Sequence, residues 1–337
     1  MSVTPDPYQK RALGLPSVPK ILLTSASKKA PQILAVRDAA RRLHPDAKVV
    51  AGDIDCNALA AYLADEFWLM PRTTEESVEA IVAGCAERAI TCVLPTRDAE
   101  LSFWARHASR FREAGISIVI SPLDSIETCI DKFAFSEFGR QRNLPVIPSA
   151  LSLEAAPPWR RYVVKERRGA GSRSIGIGLD REQAEAHART LSEPIFQPFL
   201  SGAEISADAW LDRAYRPKGL VLRHRDLVVG GESQITTTFR NAKIESHIWG
   251  VLAALELRGP VVVQALLHAD GSISVIECNA RLGGASTAGI AAGLQSLHWS
   301  LIEAHGGNVD NEVFERVPGE VRLVRVPSDL ILHDPRL

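Results

Sequence analysis

The 337-residue chain carries 39 lysines and arginines against 40 acids, a net charge of -1, with 46% apolar and 23% charged residues. That balance lacks the basic excess of a nucleic-acid binder, and the length is enough to bury a large core in two or three domains. Cys56, Cys85, Cys92, Cys129 and Cys278 are scattered without CxxC spacing, which speaks against a zinc site or disulfide framework and for thiols in a reducing cytoplasm.

The opening residues hold prolines and charges but no apolar h-region, and no later stretch approaches the roughly 18 apolar residues of a membrane span. Neither export nor membrane insertion is expected. After a disordered lead over residues 1–19, KILLTSASKK reads as a buried strand, PQILAVRDAARRLHP as a helix and KVVAGDID as a second strand. SVEAIVAGCAERA is a helix, TCVLPT a third strand, ELSFWARHASRFREAG one long helix and ISIVIS a fourth strand. Alternating strands and helices predict a parallel, doubly wound sheet over residues 20–121. IDKFAFSEFGRQRN is a helix, and PSALSLEAAPPW a proline-bearing link.

From residue 160 the pattern changes to α+β. RYVVKERRGAGSRSIGIGLD reads as a hairpin about a glycine-rich turn, REQAEAHARTLSE as a helix, and PIFQPFL, EISADAWLD and PKGLVLRHRDLVVGG as strands. SHIWGVLAALEL is the next helix, two strands follow in GPVVVQALLHADGSISVIECNA, and the tail GEVRLVRVPSDLILHD supplies a closing strand or two.

Four groups of residues can carry chemistry. In RRGAGSRS, Gly169, Gly171 and Ser172 offer small residues and backbone N–H groups to phosphates, with Lys165, Arg167, Arg168 and Arg173 around them. A dinucleotide fingerprint is excluded, because these glycines join two strands and Ser174 stands where a third glycine belongs. In VVVQALLHADGSISVIECNARLGG, strand alternation lets Gln264, Glu277 and Asn279 face one side, as a hard divalent cation between phosphates requires. Arg281 shares their parity and suits a phosphoryl group; an acid and an amide at a strand end also suit a turn cap. Arg223 and Arg225 alternate on one strand and can hold a substrate carboxylate, or lie on a solvated edge strand. Asp98 and Glu100 follow a strand end, where ligands of open sheets gather and where acids also cap helices.

Taken together, these motifs resemble the ATP-grasp superfamily, specifically single-chain relatives of the carbamoyl-phosphate synthase large subunit, over residues 20–320. The resemblance implies an α/β N-terminal domain with a parallel sheet, followed by an α+β ATP-grasp fold of two subdomains. It divides the chain into a pre-ATP-grasp domain (20–121), linker helices with a small subdomain and glycine loop (122–195), and a large subdomain with the metal site (196–337). It makes Lys132 in IDKFAF and Lys165 in VVKERRGAG phosphate-binding cations, and in FQPFLSGAEIS it sets Gln197 and Phe199 beside adenine and Glu204 on the ribose. Gln264, Glu277 and Asn279 become Mg²⁺ ligands and Arg281 a phosphate contact. Many relatives have an acid where this chain has Gln264 and Gln197.

The activity implied is that of an ATP-dependent carboxylate-amine ligase, with ATP and Mg²⁺ as cofactors. A small carboxylate, an amino acid or related metabolite, becomes an acyl phosphate and is joined to an amine, with Lys165, Arg223, Arg225 and Arg281 assisting. The alternatives are a kinase of the same fold acting on a hydroxyl, and an ATP-binding module without chemistry. Small molecules are the expected partners, with no nucleic acid and no membrane, and a homodimer is allowed.

Overall fold

The computed structural model describes residues 18–169, 174–326 and 328–331. The first layer consists of β1 (Lys20–Leu23), α1 (Ala30–Leu43), β2 (Lys48–Asp53), β3 (Glu66–Leu69), α2 (Val78–Glu87), β4 (Cys92–Leu94), α3 (Asp98–Arg106), α4 (Ala108–Glu113) and β5 (Ser117–Ile118). Its five strands are parallel, in the order β3-β2-β1-β4-β5. Helices cover both faces of such a sheet, so Ile21, Leu22 and Leu23 are all buried although they point to alternate sides. In α1, Ile33, Val36, Ala40 and Leu43 form the apolar stripe, Pro31 starts the helix, and Arg41 and Arg42 complement its C-terminal end.

Two expectations change here. The strand β3, EFWL, was absent from the sequence reading because its four residues lack a clear period. The single helix expected after β4 is instead α3 and α4, parted at His107 where the backbone leaves helical geometry.

Two helices, α5 (Leu123–Ile130) and α6 (Lys132–Gln141), lead into a three-stranded layer of β6 (Tyr162–Glu166), β7 (Gly176–Leu179) and β8 (Pro194–Pro198), with α7 (Arg181–Ala188) packed on it. Its order is β7-β6-β8 and all pairs are antiparallel. The expected hairpin is therefore β6–β7. Residues 170–173 at its tip, which include the candidates Gly171 and Ser172, lie outside the described residues.

The third layer is the largest: β9 (Ala203–Leu211), β10 (Pro217–Val229), β11 (Glu232–Phe239), α8 (Ala242–Leu255), β12 (Gly259–Leu267), β13 (Ile273–Asn279), α9 (Thr287–Ala291), α10 (Ser296–Ala304) and β14 (Arg322–Val324). Its antiparallel order is β13-β12-β9-β10-β11-β14. Because β10 lies between β9 and β11, the solvated edge strand considered for Arg223 and Arg225 does not exist. The tail contributes one strand, β14, paired with β11.

Strand alternation divides this sheet into two chemically different faces. Ile205, Ala207, Leu222, Val263, Ala265 and Val275 pack on α8 in a core shared with Trp104 and Phe111 of the first layer. The opposite face takes Glu204, Ser206 and Asp208 of β9, Arg223 of β10, Gln264 of β12, and Glu277 and Asn279 of β13, as the cross-strand partners show. A bulge sets the last two: Gln264 pairs with Glu277 and Ala265 with Val275, which leaves Ile276 as the additional residue.

Candidate functional site

The polar sheet face, the β6–β8 layer and the start of α6 form one constellation. Lys165 is the penultimate residue of β6, the middle strand of its layer between β7 and β8. Only 6% exposed, its ammonium has no hydrogen-bond or ion-pair partner among the described residues. Burial drives its pKa from 10.5 down to about 8, helped by the charge of Lys132 and opposed by Glu277 and Glu204. A buried cation left unpaired is costly, and an arriving anion would repay the cost.

Lys132 opens α6, where the side chain of Asp131 caps the helix by accepting from the Phe133 and Ala134 amides, both at 3.1 Å. Asp131 also receives Arg167 Nη2 at 2.6 Å and Arg168 Nη2 at 2.8 Å. Burial pushes the Asp131 carboxyl up, but these arginines and the cap outweigh it and hold it low. The two arginines flanking the glycine turn are thus tied down. Lys132 instead donates from Nζ to the Gly169 carbonyl at 2.8 Å, reaching the rim of the turn. Gly169 has φ 143°, open to glycine and strained for other residues.

Gln197 on β8 is buried and donates to Ser149 Oγ at 2.7 Å, while Phe199 just beyond the strand is 44% exposed. Glu204 pairs with Arg225 Nε at 3.0 Å. Burial lowers the Arg225 pKa, against the pull of Glu204. Arg223 is 3% exposed and its partner Asp208 2%; Nε meets Oδ2 at 2.8 Å and Nη2 meets Oδ1 at 3.4 Å. Nη1 of Arg223 has no hydrogen-bond partner among the described residues. Asp208 also accepts from Ser286 Oγ at 2.7 Å, and Ser286 Oγ receives the Gly283 amide at 2.9 Å. Arg223 therefore acts on the turn after β13 through two intermediaries.

At the end of β13, Asn279 bridges its neighbours, with Nδ2 donating to Glu277 Oε1 at 3.3 Å and Oδ1 accepting from Arg281 Nη2 at 3.2 Å. Gln264 stands opposite Glu277. The donor set is one carboxylate and two amides, and no cluster of three His, Cys, Asp or Glu suited to a metal occurs among the described residues. Hard oxygens of this kind suit Mg²⁺ that keeps phosphate and water in its remaining positions.

Arg281 reaches into the first layer, where Nη2 meets Asp98 Oδ2 at 2.5 Å. Of the two acids after β4, Asp98 thus faces the site. Glu100 is buried structure: it accepts Thr24 Oγ1 at 2.8 Å, the Thr96 and Arg97 amides at 3.1 Å and Trp104 Nε1 at 3.3 Å. Sequence reasoning missed Asp131, Asp208 and Ser286. An acid directly before a helix could have marked Asp131; a buried pair 15 residues apart has no local signal.

Residues 129–285 match the family model described as "ATP-grasp domain", and residues 21–119 match "PylC-like, N-terminal domain". No curated protein matches the chain by sequence. Among solved structures, the biotin carboxylase domain of 2-oxoglutarate carboxylase from Hydrogenobacter thermophilus superposes with TM-score 0.71 at 16% identity, covering 90% of this chain and 73% of that one. An L-amino acid ligase from Bacillus licheniformis gives 0.68 at 19%, covering 86% and 74%. N5-carboxyaminoimidazole synthetase from Staphylococcus aureus, complexed with ADP, gives 0.68 at 13%, covering 90% and 81%. Likeness at these identities establishes a shared fold.

Proposed function

Because the chain carries an ATP-grasp domain behind a PylC-like N-terminal domain, we propose that it uses ATP and Mg²⁺ to activate a small carboxylate and join it to an amine. The single observation that carries this reading is Lys165, a desolvated cation with no partner among the described residues, facing Glu277 and Lys132. The three solved relatives point the same way, since one is an amino acid ligase and two are described with bound ADP.

A carboxylate acylates poorly because its charge is delocalised and oxide does not leave. Transfer of the γ-phosphoryl group of ATP to a carboxylate oxygen replaces oxide by phosphate as leaving group and releases ADP. The chain's task is positioning and charge neutralisation. Lys132 and Lys165 would hold the α- and β-phosphates, with Gly169 and the turn that includes Gly171 and Ser172 lying over them. Gln197 and Phe199 would border adenine and Glu204 the ribose. Mg²⁺ on Glu277, Asn279 and Gln264 would neutralise phosphate oxygens, exchanging the Asn279 amide hydrogen on Glu277 for the ion. Arg281 would meet the transferring group, and closure of the small layer (122–195) on the large one (196–337) would keep water from the acyl phosphate. Attack of the amine on the acyl carbon then forms the C–N bond and expels phosphate.

Arg225 and the free Nη1 of Arg223 border the acceptor side, but most of Arg223 is engaged by Asp208. We assign Arg223 mainly to positioning. All five cysteines are free thiols, as in a reducing cytoplasm, and no described helix is long and apolar enough to cross a membrane. A homodimer is the assembly to test by sedimentation.

The experiment is ADP release over amino acids and small carboxylic acids with hydroxylamine present. Trapped hydroxamate supports the ligase; ADP release with a phosphorylated product and no hydroxamate supports the kinase; ATP binding without ADP release from any mixture supports the module without chemistry.

A further inference from the structure

The loop from β1 to α1 holds a second cation that the scheme above leaves unused. Lys29 is the N-cap residue of the 14-residue α1, and neither its own side chain nor an acid in the first turn satisfies the helix's opening amides. Such an end carries roughly half a positive charge. The Lys29 ammonium is half-buried and makes no hydrogen bond or ion pair among the described residues. Its charged neighbours are Arg281, Arg325, Asp98 and Glu232. Both acids are already taken, Asp98 by Arg281 at 2.5 Å and Glu232 by Arg325 at 2.6 Å. Burial, then Arg281, lowers the Lys29 pKa. One net positive charge and a bare helix end are left over.

This surplus is fixed in place relative to Arg281. Gln32, 3% exposed on the first turn of α1, donates from Nε2 to the Gly283 and Gly284 carbonyls at 3.4 Å. Arg325 Nη2 also holds the Gly284 carbonyl, at 2.6 Å. The location is the carboxyl end of the parallel sheet next to its central strand β1, where the strand order reverses and ligands of such sheets collect.

We propose that Lys29 and the N-terminus of α1 bind a second anionic group, carboxylate or phosphate, on the substrate whose reacting carboxylate lies at Arg281. The substrate class is therefore a dianion rather than a simple monocarboxylate. This rests on the ATP-dependent reading of the site, because Arg281 marks the reacting end only if the phosphoryl group arrives there.

The test is a binding measurement without nucleotide. Wild type, Lys29→Met and Lys28→Met are titrated calorimetrically with butyrate, glutarate, alanine, aspartate, glutamate, phosphoserine and inorganic phosphate. The expected result is that a doubly anionic organic probe binds wild type and Lys28→Met alike, with Lys29→Met about tenfold weaker or worse, while butyrate and alanine are insensitive to the change. Lys28 is exposed, so its variant controls for net charge. A carboxylate probe that leads phosphoserine identifies a second carboxylate, and the reverse order a phosphate. If inorganic phosphate alone responds, or if no probe distinguishes Lys29→Met from wild type, the proposal is overturned. MgATP is titrated separately; loss of that binding alone sinks the ATP reading and leaves the Lys29 result standing.

Discussion

Replacing Lys165 by Met should make the empty protein more stable while removing its grip on nucleotide. The folded chain holds this ammonium at a pKa of about 8 against an ordinary 10.5. At about 1.36 kcal/mol per pH unit, that gap amounts to about 3 kcal/mol of folding free energy. Below pH 8 the folded and unfolded chains both carry the proton, and the fold bears the whole penalty. Between 8 and 10.5 the unfolded chain keeps the proton that the folded chain releases, so stability rises with pH; above 10.5 the penalty is gone. Methionine has similar length and no charge. The stability of Lys165→Met relative to wild type should therefore start near +3 kcal/mol at pH 7 and fall steadily toward pH 10. Urea unfolding of both proteins at each pH measures this difference, and other lysines and tyrosines cancel in it. With MgATP at about 100 times its Kd, wild type should gain about 2.7 kcal/mol and the variant almost nothing. A difference that is flat in pH, or a variant less stable than wild type at pH 7, would refute the reasoning.

Glu277→Gln and Arg281→Ala should each lower ADP release about 100-fold or more while circular dichroism stays unchanged; near wild-type turnover in either would displace the site. Asp208→Asn leaves the Arg223 guanidinium buried without its counter-charge and should cost about 3–5 kcal/mol, read from the urea midpoint. Asp208→Leu paired with Arg223→Met should recover most of it, and a double variant no better than the single would contradict the pairing. Glu100→Gln puts a donor where four donors converge, and should cost about 1–3 kcal/mol without altering the KM for ATP, because Glu100 holds β1, β4 and α3 rather than a ligand.

The layers were legible because each advertises itself locally. ILL and CVL are continuous apolar runs of a strand covered on both faces, and VVVQALL is an apolar run broken only by Gln264. The Glu277, Asn279 and Arg281 grouping was readable because two-residue spacing fixes a common side of one strand. Its attachment to the first layer was not, since Asp98 and Arg281 are 183 residues apart and meet only after both layers fold. ESQITTTF escaped because serine and threonines, which read as loop, here fill the polar face of a strand paired on both sides, between β10 and β14. For Arg223 the sequence leaves a carboxylate contact and a solvated edge strand both open, because the buried acid that neutralises it lies on another strand and leaves no local signal.

Ile276 gives the β12–β13 ribbon two ways to zip. Held as the spare residue, it keeps Glu277 and Asn279 on the polar face of the sheet and Cys278 beneath them. Zipped flush from the turn at residue 270, the same ribbon would turn Cys278 outward and sink a carboxylate into hydrocarbon. The apolar Val275 and Cys278 underneath decide between these, so the direction in which Glu277 points depends on a greasy contact on the far side of the sheet.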